Sequence, residues 1–456
     1  MMLENVQTSE YASPAERAEI GKLRRAQVPR AAHAAWQPPA NRRDPIDVLE
    51  ESNEGRVADL IPIRYGRMSR SPFAFLRGSA ALMAYDLATT PVSGIQVQAC
   101  GDCHLANFGL FATPERNLIF DLNDFDETLP APWEWDVKRL AASFVVCGRE
   151  NGVSSVDCEA SVRVLAQTYR ARLREYSQMR VLDVWYARID DKMLIDTAPT
   201  AEARARRERI ATKARESVGE YLYPKIASVE SGRPRINDQP PLIFHPADHL
   251  DEERVKAIMA SYAATLAADR RKLLDRYRYA DYAFKVVGVG SVGTRCFVVL
   301  FLAWDNDPLL LQIKEARASV LEPYAGPSEY GHHGERVVIG QRLTQAASDM
   351  FLGWTTGPAG TQFYVRQLRD MKFSVPLTNM TGKDLARYAA VCGWALARAH
   401  AKGGDAAQIV GYLGKSDAFD QALAKFAVAY ADQTARDHAA LLKAIESGRV
   451  QAVVDY

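Results

Sequence analysis

Two short acidic segments carry side chains that could perform phosphoryl transfer. The segment GDCHLANFG at residues 101–109 places Asp102 five residues before Asn107, and LIFDLNDFDE at 118–127 adds Asp121, Asp124 and Asp126. Transfer of a phosphate to a hydroxyl needs one aspartate that orients and deprotonates the hydroxyl, with an asparagine and a second aspartate that hold magnesium. An exposed acidic turn is the alternative interpretation, because Asp, Asn and Gly are common in turns. The presence of both segments favours phosphoryl transfer.

A glycine-rich segment, GVGSVG at residues 288–293, follows a predicted strand, and Lys314 lies further along in LLLQIKEA. Glycines let backbone N–H groups approach phosphates, and a lysine on an adjacent strand can reach the same phosphates. A dinucleotide fold would place a helix after the glycines, whereas residues 294–304 have a strand pattern, which favours a kinase-type loop. An ordinary hairpin with an unrelated lysine is the alternative. The predicted nucleotide-binding residues are Gly288, Gly290, Ser291, Gly293 and Lys314.

A nucleotide-binding lysine of this kind needs an acidic partner. In kinase-type sites an acid on a helix holds the lysine against the phosphates. Glu335 begins the next predicted helix, and Glu329 is the alternative. We predict that Glu335 pairs with Lys314.

The stretch GDCHLANFG…FDLNDFDETLPAPWEWDVKRLAAS resembles the catalytic and metal loops of the aminoglycoside and choline phosphotransferases, whose pattern is HGDxHxxN followed by an IDFE-type motif. More narrowly, residues 64 to 430 resemble an uncharacterised bacterial domain family grouped with the protein-kinase-like superfamily. The resemblance implies that Asp102 is the catalytic base, that Asn107 and Asp124 bind magnesium, and that ATP is the nucleotide. It also implies that Asp136, in WDVKRLA, supports the loop rather than reacting.

Two features depart from these families. Cys100 takes the place of the first histidine of HGD, so the loop is expected to be held differently here. Ordinary kinases carry the glycine loop and lysine before the catalytic loop, whereas here Asp102 precedes Gly288. Because function depends on where side chains lie in space, we predict a circularly permuted kinase-like fold. Such a fold requires Lys314 and Asp124 to face one cleft.

Composition narrows the class of protein. The 456 residues include 57 Lys+Arg against 56 Asp+Glu, a net charge of +1, which argues against a dedicated nucleic-acid or anionic-membrane binder. Six cysteines with one close pair, Cys100 and Cys103, fit a reducing cytosol, and a zinc site would need further ligands. The N-terminus shows no signal-peptide pattern, and the longest apolar run, 297–304, is far short of the ~20 residues that span a bilayer. We therefore predict a cytoplasmic protein with no nucleic-acid or membrane partner.

The predicted fold class is α+β, a two-lobed protein-kinase-like fold, circularly permuted, with a mostly helical large lobe and a small antiparallel β lobe. The change from helical to strand periodicity along the chain divides it into five segments. They are an N-terminal arm with an irregular segment (1–70), the catalytic-loop and metal-loop part of the large lobe (71–150), a helical segment (151–280), the β lobe with the glycine loop (281–375) and C-terminal helices (376–456).

Two functions are compatible with these residues. The first is an ATP- and magnesium-dependent phosphotransferase acting on a hydroxyl, and the GDxHxxN pattern favours a small-molecule acceptor over a protein. The second is a catalytically inactive, nucleotide-binding pseudokinase that regulates or scaffolds. The presence of Asp102, Asn107, Asp124 and Lys314 favours the enzyme. The sequence identifies neither the acceptor nor the oligomeric state.

Overall fold

The computed structural model describes residues 12–198, 200–230, 233–246, 250–368 and 371–454, without the side chains of 219–221. It has a mixed α+β fold rich in helix. The helices of the first part of the chain are α1 (Pro14–Gln27), α2 (Pro45–Glu51), α3 (Ile61–Met68), α4 (Pro72–Gly78), α5 (Ala80–Leu87) and α6 (Trp133–Glu150). Those of the middle are α7 (Ser155–Ser177), α8 (Val181–Tyr186), α9 (Asp191–Asp196), α10 (Ala201–Arg215), α11 (Gly219–Ile226), α12 (Glu252–Ala264) and α13 (Ala268–Leu274). Those of the last part are α14 (Glu322–Ala325), α15 (His333–Thr344), α16 (Gly382–Lys402), α17 (Ala406–Leu413) and α18 (Ala418–Glu446).

The strands form small antiparallel sheets. They are β1 (Gln96–Ala99), β2 (Phe108–Ala112), β3 (Leu118–Leu122), β4 (Leu129–Pro132), β5 (Ala227–Glu230), β6 (Arg233–Ile236), β7 (Ile243–Phe244), β8 (Arg278–Lys285), β9 (Cys296–Leu302), β10 (Pro308–Glu315), β11 (Gly353–Thr356), β12 (Gln362–Gln367) and β13 (Phe373–Ser374). The largest sheet has the order β11-β12-β10-β9-β8-β7. The smaller sheets are β13-β2-β3, β1-β4 and β5-β6.

The largest apolar core lies among α6, α7, α16 and α18. Helix α6 is buried along nearly its whole length, and at its start Trp133 stacks on Tyr169 of α7 with ring centroids 5.8 Å apart. Because α6 follows β4 directly and carries Asp136 and Arg139 in its buried first turns, this core fixes the position of both side chains.

The six-stranded sheet has apolar residues on both faces. The two-residue period of a strand sends Val298 and Leu300 of β9 into one cluster, and Val299 and Phe301 into another. The first cluster includes Ile226 of α11, and the second packs against α12. Sandwiching the sheet in this way holds β10, and with it Lys314, in a fixed position.

The beginning and end of the described chain pack together. Helix α1 crosses α17, and a Cβ added to Gly21 would collide with the carbonyl oxygen of Gln408, as one added to Gly411 would with that of Ala18. The two backbones meet so closely that only glycine fits at these positions. The N-terminal segment therefore lies against the C-terminal helices.

Several predicted elements are present. The hairpin β8-β9 flanks the glycine loop and β10 follows as a third strand, all antiparallel. The structure differs in the segment 151–280, which contains β5, β6 and β7 as well as helices, and in the segment 1–70, where α2 and α3 occupy part of the predicted irregular region. The first eleven residues of that segment lie outside the described residues. No helix in the described ranges is long and apolar enough to cross a bilayer.

Candidate functional site

Two segments distant in sequence meet at one ion-pair cluster. The Nζ of Lys314 on β10 lies 3.7 Å from Oδ1 of Asp124, which follows β3. The same ammonium also contacts Oδ2 of Asp126. The lysine predicted to bind the nucleotide and the aspartate predicted to bind the metal are therefore close together in the structure.

A cleft of about 330 Å³ opens beside this cluster. It is lined by most of the predicted site residues, namely Asp102, Asn107, Asp124, Gly288, Gly290 and Ser291. Gly293 and Lys314 do not line it, and the side chain of Lys314 is only 3% exposed. The structure thus brings the catalytic-loop, metal-loop and glycine-loop candidates to one cavity.

The catalytic loop is anchored to α6 by Asp136. Its carboxylate accepts hydrogen bonds from the backbone N–H groups of Cys100 (2.8 Å) and Gly101 (3.0 Å), and its Oδ2 lies 3.3 Å from Nε2 of His400. The side chain of Asp136 is 1% exposed. The predicted supporting role of Asp136 is confirmed by these contacts with the backbone of the catalytic loop.

The CxxC pair lies beside this anchor. Ligand atoms of Cys100, Cys103 and Asp136 are within 4.8 Å of one another. Burial raises the pKa of Cys103 to about 11, which favours the protonated thiol, and the Asp136 oxygens already accept backbone hydrogen bonds. A metal requires deprotonated thiols. These cysteines therefore fit a packed loop better than a zinc site.

Asp102 is held by Arg139 from α6. The guanidinium Nε donates to Oδ1 at 2.6 Å, and Nη2 contacts the same oxygen. Oδ2 lies 3.7 Å from Nε2 of His104 and accepts no hydrogen bond from the described residues. Burial raises the pKa of Asp102 to about 7, although Arg139 acts in the opposite direction. A carboxylate with a pKa near neutrality and one oxygen fixed in place is suited to accept a proton at the other.

Asn107 and Asp124 form a set of oxygen ligands. The Asn107 Nδ2 donates to the backbone carbonyl oxygen of Asp102 at 2.7 Å, which orients the side-chain amide. The backbone carbonyl oxygen of Asn107 accepts from the Asn123 N–H at 2.8 Å. This backbone bond ties the catalytic loop to the metal loop. The buried Oδ1 of Asp124 has no hydrogen-bond partner among the described residues. Burial opposes ionisation of Asp124, but Lys314, Arg366 and Lys372 outweigh it and lower the pKa of the carboxyl. An ionised carboxylate with a free oxygen, next to a side-chain amide, fits a hard divalent cation.

The acidic partner of Lys314 differs from the prediction. In the described chain, Lys314 forms ion pairs with Asp124 and Asp126, and neither Glu335 nor the alternative Glu329 contacts it. Asp126 is itself oriented by Tyr364, whose hydroxyl donates to Oδ1 at 2.8 Å. Burial alone would lower the pKa of Lys314, but Asp124 and Asp126 hold it well above its usual value. The lysine is therefore a permanent cation.

Helix α15 contributes a cation to the site rather than the predicted acid. Arg336, next to Glu335, is buried and donates to the carbonyl oxygens of Thr128 (2.6 Å), Asp126 (2.8 Å) and Arg317 (2.7 Å). One guanidinium therefore joins the metal loop to the chain that follows β10. Positioning of the loop, rather than pairing with Lys314, is what this helix provides.

The glycine loop connects β8 and β9 as predicted. Gly288 and Gly293 have φ values of +66° and +87°, which favour glycine. The guanidinium of Arg56 donates to the carbonyl oxygens of Gly290 (2.8 Å) and Val292 (2.6 Å), and Ser291 Oγ donates to Oδ2 of Asp126 at 3.4 Å. The loop therefore lies over the aspartates, held by the segment that precedes α3.

Four residues of the site were not predicted: Asp126, Arg139, Arg336 and Arg56. Arg139 could have been found from WDVKRLA, because it lies three residues after Asp136 and helical spacing places both on one face. Asp126 was visible as part of the acidic segment, but nothing in its type or spacing separated it from Asp124 as a lysine partner. Arg56 and Arg336 act through long-range contacts that leave no local pattern.

One cleft therefore has a buried cation beside it, carboxylate oxygens without hydrogen-bond donors, a carboxyl group with a pKa near 7 and a glycine loop. Comparison with known families matches residues 56–444 to the family described as "Uncharacterized protein conserved in bacteria (DUF2252)". Comparisons with curated proteins and with solved structures found no match. The matched range contains every residue of the cleft considered above and covers most of the chain. The chain therefore belongs to the DUF2252 family.

Proposed function

We propose that this protein is an ATP- and magnesium-dependent phosphotransferase that acts on a hydroxyl of a small-molecule acceptor. The observation that carries the proposal is the meeting of Lys314 and Asp124 at the edge of a cleft that Asp102 and Asn107 also line. Phosphoryl transfer is catalysed mainly by positioning and by charge, and these side chains supply both.

The nucleotide phosphates are held by the glycine loop and Lys314 in this proposal. Ser291 of the loop donates to Asp126, and Asp126 pairs with Lys314. Phosphates bound beneath the loop would therefore lie close to the Lys314 ammonium. Asp126 keeps that ammonium in place, which is the role first assigned to Glu335. A lysine that is charged and fixed loses little freedom on binding.

Asn107 and Asp124 would hold the magnesium ion through the amide carbonyl oxygen and the free Oδ1. The ion, when bound, neutralises charge on the phosphates. The chain's own contribution is to orient these oxygens: Asp102 and Asn123 fix the asparagine, and Lys314 keeps Asp124 ionised.

Asp102 would act as the base. The acceptor oxygen bonds to the γ-phosphorus as the bond from that phosphorus to the bridging oxygen breaks. The electron pair of the broken bond leaves with ADP, and the hydroxyl proton passes to Oδ2 of Asp102. Arg139 holds Oδ1, so the accepting oxygen stays aimed at the cleft.

The proposal includes a kinase-like fold in circularly permuted order. A catalytic loop, a metal loop, a glycine hairpin and a lysine strand occur together around a cleft, with the first two earlier in the chain than the last two. All six cysteines are free, as expected in a reducing compartment, and we place the protein in the cytoplasm.

A nucleotide-binding pseudokinase is the second candidate. One observation favours it: Arg139 occupies Oδ1 of Asp102, and a paired carboxylate is a weaker base. Such a protein would bind magnesium nucleotides and transfer nothing.

ATP consumption separates the two candidates. We expect the wild type to convert ATP to ADP in the presence of magnesium and a panel of small polyols and amino alcohols. Asp102→Asn should lower the rate by about 10²–10⁴-fold, the usual contribution of a general base. Asp432→Asn, a change at an exposed ion pair with Arg149, is the matched control and should leave the rate unchanged. Nucleotide binding without turnover in the wild type would favour the pseudokinase.

A further inference from the structure

Arg77 differs from the arginines around it in having no hydrogen-bond or ion-pair partner among the described residues. It lies near the end of α4 and lines the cleft. Its Nε is buried without a hydrogen bond, and no ion pair to Arg77 occurs within the described ranges. Arg56 and Arg64 line the same cleft, but their guanidinium groups donate to backbone or side-chain acceptors, as in the bond from Arg64 Nη2 to Gly78 O at 2.8 Å.

Arg77 is partly buried, and its Nε is a buried donor without an acceptor among the described residues. Such a donor destabilises the protein unless a ligand satisfies it, and more so when it is charged. Burial lowers the pKa of Arg77, and the carboxylates of Asp102 and Asp124 act against that shift. These aspartates therefore lie near enough to act on its charge, yet neither pairs with it. The surroundings favour a cation whose hydrogen bonds are left for a ligand.

The backbone places Arg77 directly beneath the glycine loop. A Cβ added to Gly290 would lie 3.0 Å from the carbonyl oxygen of Arg77, so the middle of the loop touches α4 at this residue. The guanidinium lies 6.0 Å from the ring of Phe73, which packs edge-on against His104 of the catalytic loop. Arg77 is thus placed between the loop that would cover phosphates and the loop that carries Asp102.

We propose that Arg77 is a further catalytic residue, which binds the phosphoryl group while it is being transferred. This inference rests on the proposed phosphotransferase function and deepens it. During transfer, negative charge spreads over the oxygens of the phosphoryl group as its bond to ADP breaks and its bond to the acceptor oxygen forms. The hydroxyl proton goes to Asp102, and Arg77 keeps its own protons and donates hydrogen bonds to the transferring oxygens. A planar guanidinium can contact two of those oxygens at once.

The test compares turnover with binding in Arg77→Met and Arg77→Lys. We expect Arg77→Met to lower kcat by about 10²–10³-fold, the loss seen when one donor to a developing charge is removed. Affinity for ADP, which lacks the transferred group, should stay within about twofold of the wild type, because the lost interaction belongs to the transition state. Arg77→Lys should recover part of kcat. Arg180→Met, at a side chain that is 86% exposed, is the control.

Three outcomes would overturn the inference, and they are distinguishable. If the wild type turns over ATP and folded Arg77→Met has the same kcat, Arg77 has no catalytic role while the phosphotransferase proposal survives. If Arg77→Met loses ADP affinity as much as kcat, the residue serves general nucleotide binding or structure. If the wild type consumes no ATP with any acceptor, both proposals are rejected. Thermal melting of each variant confirms that it is folded.

Discussion

Asp121 and Asp124 lie on the same short segment, and each faces a cation contributed by a distant part of the chain. Asp121 ends in a closed environment: its carboxylate is 0% exposed and accepts two hydrogen bonds at 2.8 Å from Nη2 of Arg398. The backbone N–H groups of Leu122 (2.9 Å) and Ala346 (2.8 Å) also donate to it. Asp124 is open: its side chain is 34% exposed, and its Oδ1 has no hydrogen-bond donor within the described ranges.

The contrast separates a group that maintains the fold from one that is available for a ligand. Every acceptor position near Asp121 is taken by protein, so nothing further can bind there. Lys314 lies 3.7 Å from Asp124, close enough to keep it ionised but without a hydrogen bond. Two arginines show the same contrast, since Arg336 donates to three backbone carbonyls and Arg77 to none of the described residues. Partial exposure together with an oxygen that has no hydrogen-bond donor, rather than charge alone, distinguishes Asp124 from Asp121.

The largest expected effect on stability comes from Asp121→Asn. The change removes the carboxylate charge that pairs with Arg398 and leaves that guanidinium buried. Breaking a buried pair in this way costs about 3–5 kcal/mol of the free energy of unfolding. Asp124→Asn should cost about 1 kcal/mol or less, because the group is partly exposed and Asp126 keeps Lys314 paired. Urea denaturation of both variants measures the difference, and equal losses would break the distinction between closed and open aspartates.

A smaller effect on stability should appear as a pH dependence caused by a buried histidine, His33. Burial lowers the pKa of His33 from 6.5 to about 3, and its Nε2 lies 2.6 Å from the hydroxyl of Tyr412. The unfolded chain therefore binds a proton between these values that the folded chain does not. The contribution of His33 to the free energy of unfolding is complete above pH 6.5 and is lost as the pH decreases towards 3, with a slope of up to about 1.4 kcal/mol per pH unit.

The variant His33→Gln tests this assignment, because glutamine can still bond to Tyr412 but does not titrate. We expect urea denaturation between pH 6.5 and 5 to show that the wild type loses stability relative to the variant as the pH falls. Equal pH dependence of the two proteins would contradict the assignment to His33 and would show that other groups cause the effect.

Local patterns were sufficient to predict most of the cleft. Asp102, Asn107, Asp124 and the glycines each belong to a short motif whose spacing sets its geometry, and the structure brings them together. The partner of Lys314 could not be predicted in the same way, because Asp126 reaches it only through the packing of two sequence-distant segments. Nothing in the sequence separates Arg77 from the other arginines. The structure does so, because it places Arg77 in the cleft with its Nε buried and without a hydrogen-bond partner.

Errors in the fold prediction have a similar origin. Helices α2 and α3 lie in the segment predicted to be an arm with irregular chain. Their prolines, Pro45 and Pro62, occupy the first turn of each helix, where proline is tolerated. Strands β5 and β6 are only four residues long each and lie in the segment predicted to be helical, and β6 contains Pro234.

Calorimetric titration of ATP into the protein, with magnesium and then with EDTA, tests the central claim most directly. The wild type should bind ATP in a magnesium-dependent manner, and Lys314→Met should weaken binding by about tenfold or more, the loss of ~1.4 kcal/mol expected for one charged contact. Glu335→Gln is the matched control and should bind as the wild type does, since Asp126 rather than Glu335 pairs with Lys314. Absence of ATP binding by the folded wild type, or equal affinity in Lys314→Met, would contradict the account.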